Sequence, residues 1–257
     1  MASKTSLRRK AKERFAVANK LEREYLHQMR ELARHIDHLV RVSVRKDMSV
    51  DELNRVSDRL RNLLRQYSNT ITPWANNLAK KMVNRIVSVD ERAWIQLSKE
   101  MGAELRKEIN SAPTKEMIDE FNRKQVELIT SLPLEAAERV RKMTLEGIIK
   151  GTRAETIAEK ILETGNVTKS RAKMIARTEV STTASELTRI RSKHIRSTNY
   201  YWRTSEDGSV RESHKKMNGK ICSWDDPPEV EPGKHYHAGQ YPNCRCYPEP
   251  IIDPDLI

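Results

Sequence analysis

Apolar residues recur every three or four positions through most of the chain before residue 199, a spacing that predicts long amphipathic helices. Ser49-Val50-Asp51-Glu52 fits a capping box and precedes a run of apolar residues at helical spacing. Residues 5–47 form another predicted helix, and a further one runs from Trp74 to Ile109. This last helix ends before Pro113, because a residue that precedes proline disfavours the helical conformation.

Shorter helices with clear end signals are predicted after residue 113. Ser131-Leu132-Pro133 predicts a helix start, Thr152-Arg153-Ala154-Glu155 fits a second capping box, and Gly165 ends the helix that follows. Thr168 is the predicted N-cap of a long helix, whose apolar stripe runs Ala172, Ile175, Ala176, Val180, Thr183, Leu187 and Ile190. Glu179 falls on or beside this stripe, so it either has a cationic or hydrogen-bonding partner in the interior or extends to the helix edge.

The pattern changes again near Asn199. Tyr200-Tyr201-Trp202-Arg203-Thr204 is a strand by residue type, and a turn and one or two helical turns carrying Arg211 and His214 follow it. Asn218-Gly219 can take the positive φ that reverses the chain into the next strand, Lys220-Ile221-Cys222. Loops and one short strand complete the chain.

These patterns predict a mainly α protein with a small α+β C-terminal region, in which long amphipathic helices precede a compact, loop-rich domain with short strands. We divide the chain into a basic helical arm or hairpin (residues 1–112), a helical part (residues 113–198) and a short-strand, loop-rich part (residues 199–257). Composition agrees, because two Phe and eight Gly in 257 residues argue against an all-β protein.

Hydropathy and the N-terminal residues bear on where the protein works. The mean hydropathy is −0.76, and no stretch approaches the roughly 18 apolar residues that a membrane-spanning helix needs. The first residues contain no apolar segment typical of a secretory signal, so we expect the chain to stay in the cytosol where it is made.

Positive charge is concentrated near the N-terminus. The chain has 48 Lys+Arg and 36 Asp+Glu, a net charge of +12, and its first twenty residues contain one acid, Glu13. Such a run usually forms a solvated helix face, but its imbalance favours binding to the phosphates of double-stranded DNA without sequence specificity. The candidate DNA-binding side chains are Lys4, Arg8, Arg9, Lys10, Lys12 and Arg14.

The three cysteines, Cys222, Cys244 and Cys246, lie near the C-terminus, and their odd number favours a reducing compartment over a disulfide framework. In an extended segment, Cys244 and Cys246 point to one side while Arg245 faces away. His214 together with His235 or, preferably, His237 would complete a Cys₂His₂ set for a structural zinc ion. The alternative is a metal-free core of buried thiols and a hydrogen-bonded histidine. No other cofactor is predicted.

Several motifs together resemble a known family, the Mu F-like minor head proteins, or head morphogenesis proteins, of tailed bacteriophages. The resemblance covers about residues 114–250, and Cys222 departs from it, because the family more usually has an apolar residue there. The matching residues are Ala176-Arg177-Thr178-Glu179, Trp202, Asp207, Val210-Arg211, His214, Asn218-Gly219 and Pro242-Asn243-Cys244-Arg245-Cys246.

The resemblance implies a non-enzymatic structural protein of the phage head. Such a protein joins the capsid shell during assembly in the host cytoplasm, contacts the portal protein and lies in the virion interior near the packaged DNA, away from any membrane. A zinc-dependent nuclease or other DNA-processing hydrolase, with His214 and Asn218 acting on DNA, is the alternative. A DNA-binding accessory protein with no capsid role is a third interpretation.

Four charged residues of these motifs, Arg177, Glu179, Asp207 and Arg211, could form an acid–base set or an internal ion-pair network. We favour the network, because no nucleophile with its base and no phosphate-binding loop accompanies them. The remaining predicted structural positions are Trp202, Gly219 and Asn243.

Overall fold

The computed structural model of the chain describes residues 4–99 and 111–252, and it is mainly helical with short C-terminal strands, as the sequence predicted. Among the described residues, none of the helices combines the length and the apolar character that crossing a bilayer requires. The long helices are α1 (Lys4–Ser43), α2 (Val50–Thr70), α3 (Thr72–Lys99), α4 (Lys115–Ile149), α5 (Ala154–Glu163) and α6 (Gly165–His194). The predicted end of a helix at Ile109 lies outside the described residues.

The C-terminal strands form two small antiparallel sheets. Strand β1 (Asn199–Arg203) lies between β2 (Ile221–Ser223) and β5 (Tyr247–Pro250). A short helix, α7 (Glu212–Lys215), occupies the connection from β1 to β2. The second sheet pairs β3 (Glu229–Glu231) with β4 (Lys234–His235).

Helix ends agree with the sequence in one place and differ in three. The capping box at Ser49 is confirmed, since its hydroxyl accepts from the Glu52 amide and the Glu52 carboxylate accepts from the Ser49 amide. Pro133 does not start a helix but lies inside α4. No side chain caps α5, and α6 begins at Gly165 rather than after Thr168. These predictions failed because local end signals compete with packing along whole helix faces, which propensity does not register.

Contacts between residues divide the chain into two compact units. The first unit comprises Met1–Glu24, Lys80–Phe121 and Ala176–Ile257, and the second comprises Tyr25–Ala79 and Asn122–Ile175. Each unit combines segments from both sides of residue 112. The division of the chain that composition indicates at residues 112 and 198 stays a prediction.

The second unit has an aliphatic helical core. Its buried residues include Met29, Ile36, Leu53, Leu60, Leu64, Ile129 and Leu132. Long-range hydrogen bonds supplement this packing, because the Tyr25 hydroxyl donates to Gln125 Oε1 over 3.1 Å and the Ser68 hydroxyl donates to the Thr130 carbonyl over 2.8 Å.

The first unit includes an aromatic core beneath its small sheets. Tyr200 and Trp202 of β1 are fully buried, and the Tyr200 and Trp224 ring centroids lie 4.3 Å apart. The other buried members are Met217, Cys222, Val230, Ala238, Tyr241, Cys244 and Cys246. All three cysteines are therefore interior, and all are free thiols. This loop-rich region has a substantial apolar core of its own.

Substitution of Gly165 by alanine should destabilise the second unit. An added Cβ would clash with the Asp37 carboxylate, which is held by Arg41, whose Nε is 3.1 Å from Oδ2. We expect Gly165→Ala to lower the free energy of unfolding by about 1–3 kcal/mol in urea denaturation. Gly208→Ala is the matched control, because nothing lies within 4 Å of an added Cβ there. Equal stability of the two variants would contradict the close approach.

Candidate functional site

The structure brings three of the predicted metal-binding side chains together in the first unit. The Cys244 Sγ lies 3.4 Å and the Cys246 Sγ lies 3.5 Å from His214 Nδ1. One ligand atom from each residue lies within 4.8 Å of the other two, and all three side chains are buried. We call this group the thiol–imidazole cluster.

His214 reaches the cluster from α7 and is fixed by aromatic packing. Its ring meets Trp202 and Tyr241 edge-to-face, with centroids 5.4 Å apart in both pairs. Only 1% of the residue is exposed. The Nε2 atom of His214 is buried and has no hydrogen-bond partner among the described residues. The ring therefore presents Nδ1 to the thiols and leaves its second nitrogen unsatisfied.

A tight turn at residues 242–243 presents the two cysteines, and we call residues 242–246 the cysteine turn. Asn243 takes a positive φ of 60°, and its amide donates to the Thr178 hydroxyl on α6 over 3.0 Å. After this turn Cys244 and Cys246 face the cluster, while Arg245 points to other partners, as expected for alternating side chains. The Cys246 amide also donates to the Cys244 sulfur over 3.3 Å.

The two thiols differ in acidity. Hydrogen bonds from the Cys246 side chain, His214 and the Cys246 amide outweigh burial and lower the pKa of Cys244 to about 5. The hydrogen bond to Cys244, together with burial, raises the pKa of Cys246. Without a bound metal ion, the pair thus favours one thiolate and one thiol.

His237, which the sequence placed in the same set, lies elsewhere in the aromatic core. Its Nδ1 is 3.1 Å from the Tyr200 hydroxyl, and its ring centroid is 6.0 Å from that of Trp224. Burial lowers the pKa of His237. His235, the other histidine considered, is exposed, and its Nδ1 lies 3.1 Å from the Pro227 carbonyl. Neither histidine therefore completes a Cys₂His₂ set, because His237 packs against Tyr200 and Trp224 and His235 is exposed.

A small pocket adjoins the thiol–imidazole cluster. Its volume is about 20 Å³, which is room for about one water molecule. Polar residues and Val210 line the rest of its wall. The lining residues are Ser205, Ser209, Val210, Arg211, His214, Asn243, Cys244, Arg245 and Cys246.

A second polar feature of the first unit centres on Glu22 of α1, which is 3% exposed. Arg245 donates to both carboxylate oxygens, with Nε 3.2 Å from Oε2 and Nη2 3.1 Å from Oε1. Arg177 of α6 donates to Oε1 over 3.3 Å. Arg245 also lies 3.6 Å from Asp207 Oδ2. We call these four residues the Glu22 network.

The pKa shifts of Arg245 and Asp207 agree with these contacts. Hydrogen bonding to Glu22 raises the pKa of Arg245. Hydrogen bonds from Ser209 lower the pKa of Asp207, whose Oδ1 accepts from the Ser209 amide over 2.9 Å. The charged forms are thus favoured, as an ion-pair network requires.

The other residues of the predicted network have different surroundings. Arg211 donates to the Pro242 carbonyl over 2.9 Å and lies over the Tyr241 ring, 4.8 Å from its centroid. Glu179 is buried, at 6% exposure, rather than at a solvated helix edge. The structure therefore brings together Arg177 and Asp207, through Glu22 and Arg245, and places Arg211 beside the cysteine turn.

Trp202 and Gly219 are hydrogen-bonded to each other where the chain reverses between β1 and β2. Trp202 is fully buried, as expected for a core residue. Gly219 takes a φ of +83°, and its amide donates to the Trp202 carbonyl over 2.8 Å. Asn218 accepts the Thr204 amide through Oδ1 over 3.1 Å. The predicted positive φ at Gly219 is confirmed.

Of the six predicted DNA-binding residues, the structure describes the side chains of Arg9 and Lys12. Arg9 lies 3.7 Å from Glu13, and Lys12 lies 3.6 Å from Glu206, with all four side chains more than half exposed. Exposed pairs of this kind are weak. The side chains of Lys4, Arg8, Lys10 and Arg14 lie outside the described residues.

Sequence reasoning missed Glu22 and the role of Arg245 toward it, although a signal for Glu22 was present. Glu22 precedes buried Tyr25, Leu26 and Met29 by three, four and seven positions, so it lies on the apolar stripe of α1. An acid on such a stripe needs a partner. The partners lie 155 and 223 positions away, which no local pattern reveals.

Part of the chain is similar to a family of known proteins. Residues 138–248 match the model of the family described as Phage Mu protein F like protein, so the resemblance is confirmed for this part of the chain. An uncharacterized protein of Haemophilus influenzae is 27% identical over 184 residues, which are 71% of this chain and 40% of that protein. The chain thus spans less than half the length of this relative. No solved structure matches the chain.

Replacement of Glu22 by alanine should destabilise the first unit, because it leaves two arginines facing each other without their shared acid. We expect a loss of roughly 2–3 kcal/mol in urea denaturation, below the range for a fully enclosed pair because Arg177 and Arg245 are 17% and 28% exposed. Glu24→Ala on the same helix is the matched control, because Glu24 pairs with Arg85 in solvent. A loss at Glu24 as large as that at Glu22 would contradict the central place of Glu22.

Proposed function

We propose that this chain is a structural protein of a tailed-phage head, a minor head protein that acts in head morphogenesis. The observation that carries the proposal is the match of residues 138–248 to the Phage Mu protein F like family. On this proposal, the protein joins the shell during assembly in the host cytoplasm, contacts the portal protein and lies in the capsid interior beside the packaged DNA.

The positions of the family-like residues support a structural role. Thr178 accepts from the amide that precedes Cys244, and Arg177 shares Glu22 with Arg245. Motif residues that are far apart in the sequence thus connect α6 to the cysteine turn. Their polar groups are engaged with one another or with Glu22, which suits a rigid assembly module.

The nuclease alternative fits the site less well. The thiol–imidazole cluster is buried, and the pocket beside it is small, at about 20 Å³, which favours a structural role over binding of a nucleotide. Asn218, the proposed partner of His214 in that chemistry, accepts a backbone amide instead.

The head assignment can be tested in the phage that encodes the chain. A tagged chain should co-purify with particles on a density gradient and resist added protease until the capsids are opened, because an interior protein is shielded by the shell. Heads assembled without the portal protein should lack the tagged chain if the portal recruits it. Recovery of the chain only outside particles would contradict the head assignment, and protease sensitivity in intact particles would contradict its interior location.

The basic N-terminal residues provide a means of contacting packaged DNA. Deleting residues 1–20 would be a poor test, because Ala11 is buried and Phe15 stacks on Tyr247 at 4.8 Å between ring centroids. Removing charge while keeping the helix is the better design. Glutamine suits this purpose because its helix propensity is close to those of lysine and arginine.

We expect the triple variant Arg8→Gln, Arg9→Gln, Lys12→Gln to bind duplex DNA more weakly and with a shallower salt dependence. Each lost phosphate contact should reduce the slope of log K against log salt by about 0.9. The control replaces three exposed arginines of α2, Arg55, Arg59 and Arg65, by glutamine and removes the same charge. Equal slopes for the two variants in fluorescence anisotropy titrations would show that the N-terminal residues are not the DNA-binding surface.

A further inference from the structure

We propose that His214, Cys244 and Cys246 bind one Zn²⁺ ion through three protein ligands, with a water molecule in the adjoining pocket as the fourth. This proposal is independent of the assignment to a phage head. It differs from the Cys₂His₂ set predicted from sequence, because His237 takes no part and the fourth position belongs to solvent.

The spacing of the ligand atoms fits a tetrahedral ion. Zinc lies about 2.3 Å from thiolate sulfur and about 2.0–2.1 Å from imidazole nitrogen, so tetrahedral angles require each sulfur to be about 3.5 Å from the nitrogen. The two sulfur–nitrogen distances are 3.4 and 3.5 Å. The protein therefore holds both sulfurs at the distance from the nitrogen that one shared ion requires, and the three ligand atoms lie within 4.8 Å of one another.

The chemical type of the donors selects the metal. Two thiolates with one imidazole are ligands typical of zinc, whereas calcium and magnesium prefer oxygen. The Cys246 amide, 3.3 Å from the Cys244 sulfur, would also stabilise the negative charge on that ligand. The surrounding aromatic rings of Trp202 and Tyr241 fix the imidazole plane.

A small pocket beside the three donors leaves room for the fourth ligand. The pocket touches all three ligand residues and has room for about one water molecule, with serine, asparagine and arginine side chains in its wall. A metal-bound water in this pocket would have polar neighbours.

Zinc at this site would add stability to a fold that already has a core. Tyr200, Trp202 and Trp224 are fully buried in the same cluster of residues as the two cysteines. Unlike a zinc finger, which unfolds without its metal, the apo-protein should therefore stay folded. This expectation makes the site testable in solution with the full chain.

Metal content is the first test. Protein purified under reducing conditions without chelators should contain about one zinc per chain by elemental analysis, and chelation should lower its melting temperature while leaving the far-ultraviolet circular dichroism helical. Zinc added back should restore the melting temperature. Protein that carries no zinc and takes up none when zinc is added would overturn the proposal.

Cobalt substitution tests the ligand set separately. Co²⁺ bound to the apo-protein should give the intense visible bands of a tetrahedral ion and the near-ultraviolet sulfur-to-cobalt charge-transfer band. His214→Gln, Cys244→Ser and Cys246→Ser should each weaken Co²⁺ and Zn²⁺ binding at least about tenfold, as expected for loss of a metal interaction.

Two matched variants make the outcome decisive. Cys222→Ser removes the other buried thiol, and His237→Gln removes the other buried histidine, yet neither residue belongs to the thiol–imidazole cluster. Both variants should keep the cobalt spectrum and the zinc affinity. Loss of the tetrahedral bands in His237→Gln, with its circular dichroism unchanged, would overturn the three-ligand site in favour of a four-ligand one.

Discussion

The buried carboxylate of Glu22 is the constraint on which the arrangement of the first unit depends. A carboxylate at 3% exposure is costly unless cations and hydrogen bonds compensate it. Arg245 forms a bidentate contact with this carboxylate, and Arg177 donates one further hydrogen bond to it. Because these arginines lie in the cysteine turn and on α6, satisfying one charge orders three parts of the chain. Arg245 extends the network to Asp207.

The Glu22 network and the thiol–imidazole cluster both depend on the cysteine turn. Asn243 reverses the backbone with a positive φ, and alternation then sends Arg245 toward Glu22 while Cys244 and Cys246 face His214. The charged side chain and the two thiols are therefore positioned together. A change that shifts the register by one residue would exchange these directions, so both sites depend on the same backbone geometry.

The residues that match the family motifs connect elements within one unit. Thr178 is hydrogen-bonded to the cysteine turn, and Asn218 is hydrogen-bonded to the backbone after β1. The small pocket beside the cluster has the dimensions of a water site rather than of a substrate cleft. These features are those of a rigid module whose motif side chains hold its own elements together.

The sequence by itself determined the fold class, the capping box at Ser49, the strand at Trp202, the positive φ at Gly219 and the meeting of His214 with the cysteine pair. The first four follow from local periodicity, helix capping and turn chemistry. The meeting of His214 with the cysteines, 30 and 32 positions away, follows from the ligand chemistry that pairs imidazole with thiols. Tertiary structure alone decided that Glu22 pairs with Arg177 and Arg245, and that His237 turns to Tyr200. Both depend on packing between distant segments. The free energy of burying a charge or an aromatic ring is set by neighbours that no local pattern specifies.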